Sequence, residues 1–296
     1  MANLKILLTY GVPMSFSTIL IGFQNHFFSF LLPIYYTTSN IMIGNYGIAS
    51  SLTIIVIFVA NPIVTMLFPA FSKLDHKKDK KTLRNIFQYS IKYASLFVVP
   101  ITTLVMVLSE PVVSTLFGNT YNSAPLFLTL LVIQYIYTAF GKLSVANLIN
   151  SQCDTKYNLK LSLITVAIGF PLGFILIMNF GVLGLISTTL LAGLPSLFIS
   201  LRWIKKHYDV TIDVDSSVKI VFSSVTTAAL TYILVIQLNF SSWIRLSIGI
   251  VFFIFVFLIV AILTRTIDQS DIKYLREMFS TIDPLRGLFD SLLNII

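Results

Sequence analysis

Seven polar side chains sit deep inside stretches that are otherwise apolar and long enough to cross a bilayer. They are Gln24, Asn25 and His26 within 11–34, Asn61 within 44–70, and Gln134, Thr138 and Lys142 within 123–148. Polar groups are costly in hydrocarbon, so such residues either line a substrate path or pack against neighbouring helices. Lys142 is the sharpest of them. About two turns inside the end of its stretch, its ammonium either binds a phosphate in a wet cavity or snorkels out to the headgroups. Gln134, Thr138 and Lys142 follow one another at i, i+4 and i+8, which places them on one face of an α-helix. Asn25 and His26 read either as cavity residues or as a polar face packed against other helices.

Other chemistry is poorly provided for. None of the long apolar stretches contains Asp or Glu, which argues against a carboxylate-based proton or sodium relay. No G-x-x-x-x-G-K-[ST] occurs, so ATP has no visible site, and no cofactor is expected. Cys153 is alone and can form neither an intrachain disulfide nor a thiolate metal cluster. Asp213-Val214-Asp215 has the D-x-D pattern that can hold a metal–nucleotide sugar. It lies in a short loop (204–216) without a soluble domain around it, and a solvated charged loop is the favoured reading.

The elements that position these residues follow from composition. Apolar residues make up 56% of the 296 and charged residues 11%, and the mean hydropathy is +0.89. Soluble domains carry roughly 25% charge, so this chain lacks the polar surface to coat one. Windows of roughly 20 apolar residues give spans at 11–34, 44–70, 87–109, 123–148, 158–179, 182–203, 217–238 and 242–263. The expected fold is an all-α, polytopic membrane helix bundle with about eight transmembrane helices. Charge supports the count: nineteen of the twenty Lys and Arg residues fall in alternate connections, and only Arg245 falls on the other side, beside Glu110. Cationic loops remain in the cytoplasm, so both termini are expected there, in a multi-pass protein of the cell membrane. The net charge of +8 then needs no nucleic acid to explain it. The run Lys73–Arg84 could gather anionic lipid, but the largest inner loop is basic in any case. The apolar run after Lys5 lacks an A-x-A cleavage pattern and reads as a retained span.

Pro13, Pro62, Pro100, Pro171 and Pro195 are expected to interrupt five spans, as in helices kinked around a cavity or in membrane helices generally. Beyond the last span, 264–296 reads as an amphipathic interfacial tail. Its apolar stripe is Leu285, Leu288, Phe289, Leu292, Leu293 and Ile296, after Asp283 as N-cap and Pro284.

Three segments carry a family resemblance: LFPAFSKLD (67–75), LFGNTYNSAPLFLTLL (116–131) and NFGVLGLISTTLL (179–191). With the opening YGVPMSF (10–16), their order and spacing resemble the C-terminal half of polysaccharide-biosynthesis flippases, the Wzx-like branch of the MOP exporter superfamily. The resemblance covers about residues 5–205. The same residues have local uses: Gly181 and Gly184 let two helices approach at a tight hairpin, Phe68-Pro69 ends a helix at the inner interface, and Gly118 and Tyr121 lie in an outer connection.

The resemblance implies translocation of a lipid-linked oligosaccharide or polysaccharide precursor by alternating access between two lobes, without enzymatic chemistry. It implies a six-helix lobe at 1–207, two additional helices at 208–263 and the cytoplasmic tail at 264–296. The partners it implies are a lipid-linked glycan, membrane lipids, and a missing N-terminal half or a second copy. Lys142, His26, Asn25, Gln134, Thr138 and Asn61 become the cavity candidates, cations for phosphate and amides or hydroxyls for sugar. One departure is that relatives often hold an acidic–basic pair where this chain has Asn25-His26. Two rival readings are a polytopic glycosyltransferase or ligase and a non-transporting accessory subunit.

Overall fold

The structure, a computed structural model, describes residues 2–35, 40–264 and 266. Among them every regular element is helical. Seven helices or helix pairs are long and apolar enough to cross a membrane, and a bent pair makes an eighth crossing. The first crossing is α1 (Ala2–Tyr35). The second is α2 (Asn40–Leu52) continued by α3 (Ile54–Ser72), and the third is α4 (Lys80–Val107). A short helix, α5 (Ser109–Phe117), leads to the fourth, built from α6 (Ala124–Val132), a 3-10 segment (Ile133–Phe140) and α7 (Lys142–Ser151). Then come α8 (Thr155–Phe180), the pair α9 (Val182–Ala192) and α10 (Leu194–Tyr208), α11 (Val214–Gln237) and α12 (Ser242–Leu263). These are the eight spans expected from hydropathy. The interfacial tail expected at 264–296 lies, from residue 267 on, outside the described residues.

The breaks do not all fall at the prolines. Pro13, Pro62, Pro100 and Pro171 lie inside continuous helices, whereas Pro195 sits in the first turn of α10, where its missing N–H costs nothing. Pro69 does not end its helix; α3 runs on to Ser72. Gly141 makes the sharpest break, with φ +84° and a 58° bend between the two halves of the fourth crossing. That left-handed conformation is one that glycine adopts without penalty.

Small residues bring the helices together, as bilayer packing requires. A Cβ at Gly169 would lie 1.9 Å from Gln24 Nε2, and one at Gly173 would lie 2.4 Å from Phe28 Cζ, so both glycines admit α1 side chains to the surface of α8. Gly181 turns the α8–α9 hairpin with φ +56°. A Cβ at Gly184 would lie 1.9 Å from the Leu176 carbonyl oxygen, so here two backbones meet. This is the close approach that the sequence suggested. Near the α5 end of the bundle, Asn45 Oδ1 accepts from the backbone N–H of Ser123 (3.0 Å) and Ala124 (2.9 Å), fixing the start of α6 against α2.

α11 buries Ser217, Ser223, Ser224, Thr227 and Thr231 along one stripe, and packs against α4 and α12. Arg245 at the start of α12 donates to Glu110 of α5 at 3.0 Å, the pairing that the sequence suggested. At the opposite end, Gln152 Nε2 donates to the carbonyls of Phe71 and Leu74, both at 3.0 Å. Tyr208 donates its hydroxyl hydrogen to Asp154. These contacts join the ends of α3, α7, α8 and α10.

Candidate functional site

A cavity of about 520 Å³ opens between α1, α2, the 3-10 segment, α7, α8, α9 and α10. Five of the seven polar residues singled out in the sequence line it: Gln24, Asn25, His26, Gln134 and Lys142. The other two do not. Thr138 is buried in the bundle, and Asn61 is exposed on α3 away from the cavity.

The displacement of Thr138 has a geometric cause. On an α-helix, four residues bring a side chain back to within about 40° of its starting direction. On a 3-10 helix, with three residues per turn, the same step leaves it about 120° away. Residues three apart eclipse instead, so Tyr137 shares the cavity face with Gln134. Gly141 then reorients the chain, and Lys142 regains the cavity as the first residue of α7. The α-helical face expected for Gln134, Thr138 and Lys142 is therefore corrected to Gln134, Tyr137 and Lys142.

The wall mixes polar and apolar side chains and, among the described residues, holds no carboxylate. Lys142 Nζ lies 5.7 Å from the centroid of the Tyr137 ring, a cation–π contact of order 1 kcal/mol, and has no ion-pair partner among the described residues. Several hydroxyls are spent on the scaffold: Thr165 Oγ1 donates to Ser196 Oγ at 2.8 Å, and Ser29 Oγ donates to the Asn25 carbonyl at 3.0 Å. The side-chain amides of Asn25 and Asn158 and the ring of His26 have no hydrogen-bond partner among the described residues, so they are available to a guest. Tyr46 and Ser50 of α2, with Thr53 between α2 and α3, complete the wall. Sequence reasoning missed Tyr46, Tyr137 and Asn158, because a Tyr or Asn in a membrane helix looks the same whether it packs or faces a cavity.

Among the described residues no group of three or more His, Cys, Asp or Glu could hold a metal. The D-x-D carboxylates are used locally. Asp213 caps α11, accepting from Ser216 N–H at 3.4 Å and Ser216 Oγ at 2.6 Å, while Asp215 pairs with Lys219 at 2.6 Å.

Comparison with known proteins agrees with this architecture. Residues 1–126 match the family model of polysaccharide biosynthesis proteins. A probable low-salt glycan biosynthesis flippase of Haloferax volcanii, Agl15, is 22% identical over 250 residues, or 83% of this chain and 51% of the relative. The lipid II flippase MurJ, solved in an inward closed conformation, superposes with a TM-score of 0.68 at 18% identity, covering 86% of this chain and 52% of that one. An outward-facing MATE multidrug resistance transporter of the MOP superfamily gives 0.60 at 14% identity, covering 93% and 68%. The chain thus spans about half the length of the curated relative it matches. In sequence it resembles the polysaccharide-biosynthesis flippases, and its fold is that of the MOP transporters.

Proposed function

We propose that this chain carries lipid-linked oligosaccharide or polysaccharide precursors across the cytoplasmic membrane, as one lobe of a two-lobed flippase. One observation carries the reading: a cavity of about 520 Å³ with polar groups in its wall, within a membrane-crossing bundle, whose cation Lys142 has no ion-pair partner among the described residues. A phosphate at Lys142 and sugar hydroxyls against Asn25, His26, Gln134 and Asn158 match the headgroup of such a lipid in chemistry. Residues 1–207 form the lobe, and α11 and α12, within 208–263, are an addition packed on its α4 side. In this reading the chain acts as a carrier, and Asp213 and Asp215 serve the start of α11. A second lobe completes the path, as a separate N-terminal half in preference to a second copy, since two identical lobes would abandon the asymmetry of full-length relatives. Translocation of a labelled lipid-linked oligosaccharide in liposomes tests the reading; turnover of a sugar nucleotide by the purified protein would favour the enzyme instead.

The basic end of the bundle faces the cytoplasm in this reading. Cys153, exposed in the turn between α7 and α8, is a built-in reporter of that orientation. A membrane-permeant maleimide is expected to label it in intact cells, and an impermeant one only after the cells are opened. Labelling from outside by the impermeant reagent would reverse the orientation.

A further inference from the structure

Lys142 occupies an awkward place for a membrane cation. It is the first residue of α7, whose other end, at Ser151, leads into the turn at Cys153 at the basic end of the bundle. Lys142 and Ser151 are about 14 Å apart along the helix, at 1.5 Å per residue, and a lysine stem reaches less than half that far. Side chains on a helix also tilt toward its N-terminus, so the stem is directed away from the basic end. Length and direction both work against snorkelling to that interface. An ammonium at this depth in a membrane bundle needs a holder within it, and the cavity wall supplies no carboxylate among the described residues.

The ring of Tyr137 takes that place, with its centroid 5.7 Å from Nζ. The two residues are five apart, a step that on a continuous α-helix turns side chains about 140° away from each other. The break between them removes that turn. The Gly141 N–H donates to the Thr138 carbonyl at 2.9 Å and closes the 3-10 segment. Its own carbonyl accepts from the Val145 N–H at 2.8 Å and opens α7, with φ +84° between the two bonds. The ring is anchored in turn, since the Tyr137 hydroxyl donates to the Leu190 carbonyl of α9 at 3.4 Å. Tyr137 thus reaches from the fourth crossing to α9 with its face to the cation.

We propose that Tyr137 is a positioning residue, whose ring holds the Lys142 ammonium in the cavity and away from the basic end. The use of that ammonium as a phosphate contact rests on the proposed function; the pairing of ring and ammonium does not.

Two readouts on the full chain separate these points. Reductive methylation with carbon-13-labelled formaldehyde turns each lysine into a dimethylamine that keeps its charge, and the Lys142 signal is the one missing from Lys142→Arg. That signal is expected upfield of the other lysines, shifted by the ring current of Tyr137. Tyr137→Phe keeps the ring and is expected to keep the shift, whereas Tyr137→Leu returns the signal to the common range. The second readout is headgroup translocation by the two-lobed assembly in liposomes. Tyr137→Leu is expected to lower it about fivefold, and to lower it no further in a chain already carrying Lys142→Ala, since a residue that acts through Lys142 is idle without it. An unshifted Lys142 signal in the parent chain, or one that Tyr137→Leu does not move, would overturn the proposal. The parent's signal decides this even where Tyr137→Leu fails to fold. Additive losses in the double variant would overturn it too, making Tyr137 a direct contact of the guest. A shifted signal without translocation by any variant would uphold the pairing and sink the proposed function.

Discussion

Gly184→Ala is expected to destabilise the folded bundle by about 3 kcal/mol or more, at the upper end of overpacking effects. The added methyl would sit 1.9 Å from the Leu176 carbonyl oxygen and 2.3 Å from its carbon. Those atoms belong to the backbone of α8, so no rotamer change can move them aside. Relief requires the α8–α9 hairpin to open, and with it the wall of the cavity that both helices supply. The expected readout is loss of monodisperse protein after detergent extraction and a lower thermal midpoint. Gly47→Ala provides the contrast: nothing lies within 4 Å of its added Cβ, and an alanine there gains about 1 kcal/mol of helix propensity. Equal stability of the two variants would show that α8 and α9 are not in backbone contact.

The second large effect is expected at Lys142. Lys142→Ala is predicted to lower headgroup translocation by about tenfold to a hundredfold, the loss of one charge-assisted contact, with expression and thermal midpoint unchanged. Lys142→Arg keeps the charge and is expected to retain most of the activity, less what the altered donor geometry removes. Should Ala transport as well as Lys, the ammonium merely snorkels toward the headgroups and leaves the site.

The large features of the fold were legible in the sequence because a bilayer imposes them. Spans need about 20 apolar residues and cations stay on one side, and both signals are strong in this chain. The hairpin glycines were legible too, because Gly181 and Gly184 stand together in a turn between two apolar stretches. The fine geometry was not. An isolated Gly141 in an apolar stretch gives no sign that its φ is positive, and nothing in Ile133–Phe140 announces a 3-10 pitch. The period assumed for that stretch therefore put Thr138 on the cavity side and left Tyr137 out. Asn61 was named for its polarity alone, yet it faces outward from α3; depth within a span does not determine direction. Gly169 and Gly173, which seat Gln24 and Phe28, went unread because packing glycines become visible only once the partner helix is known.

As proposed, this lobe holds a lipid-linked glycan headgroup and passes it across the membrane together with a second lobe. Alternating access requires two bundles moving against each other around a shared site, and the cavity described here has one bundle for its wall. The most direct measurement reconstitutes the chain in liposomes, alone and with a second-lobe partner recovered by cross-linking in native membranes. Movement of a fluorescent lipid-linked oligosaccharide headgroup to the opposite leaflet is then followed. Translocation by the two-lobed assembly, a rate about tenfold to a hundredfold lower with Lys142→Ala, and none by the monomer are expected. A monodisperse monomer that translocates the headgroup at the rate of the assembly would contradict it.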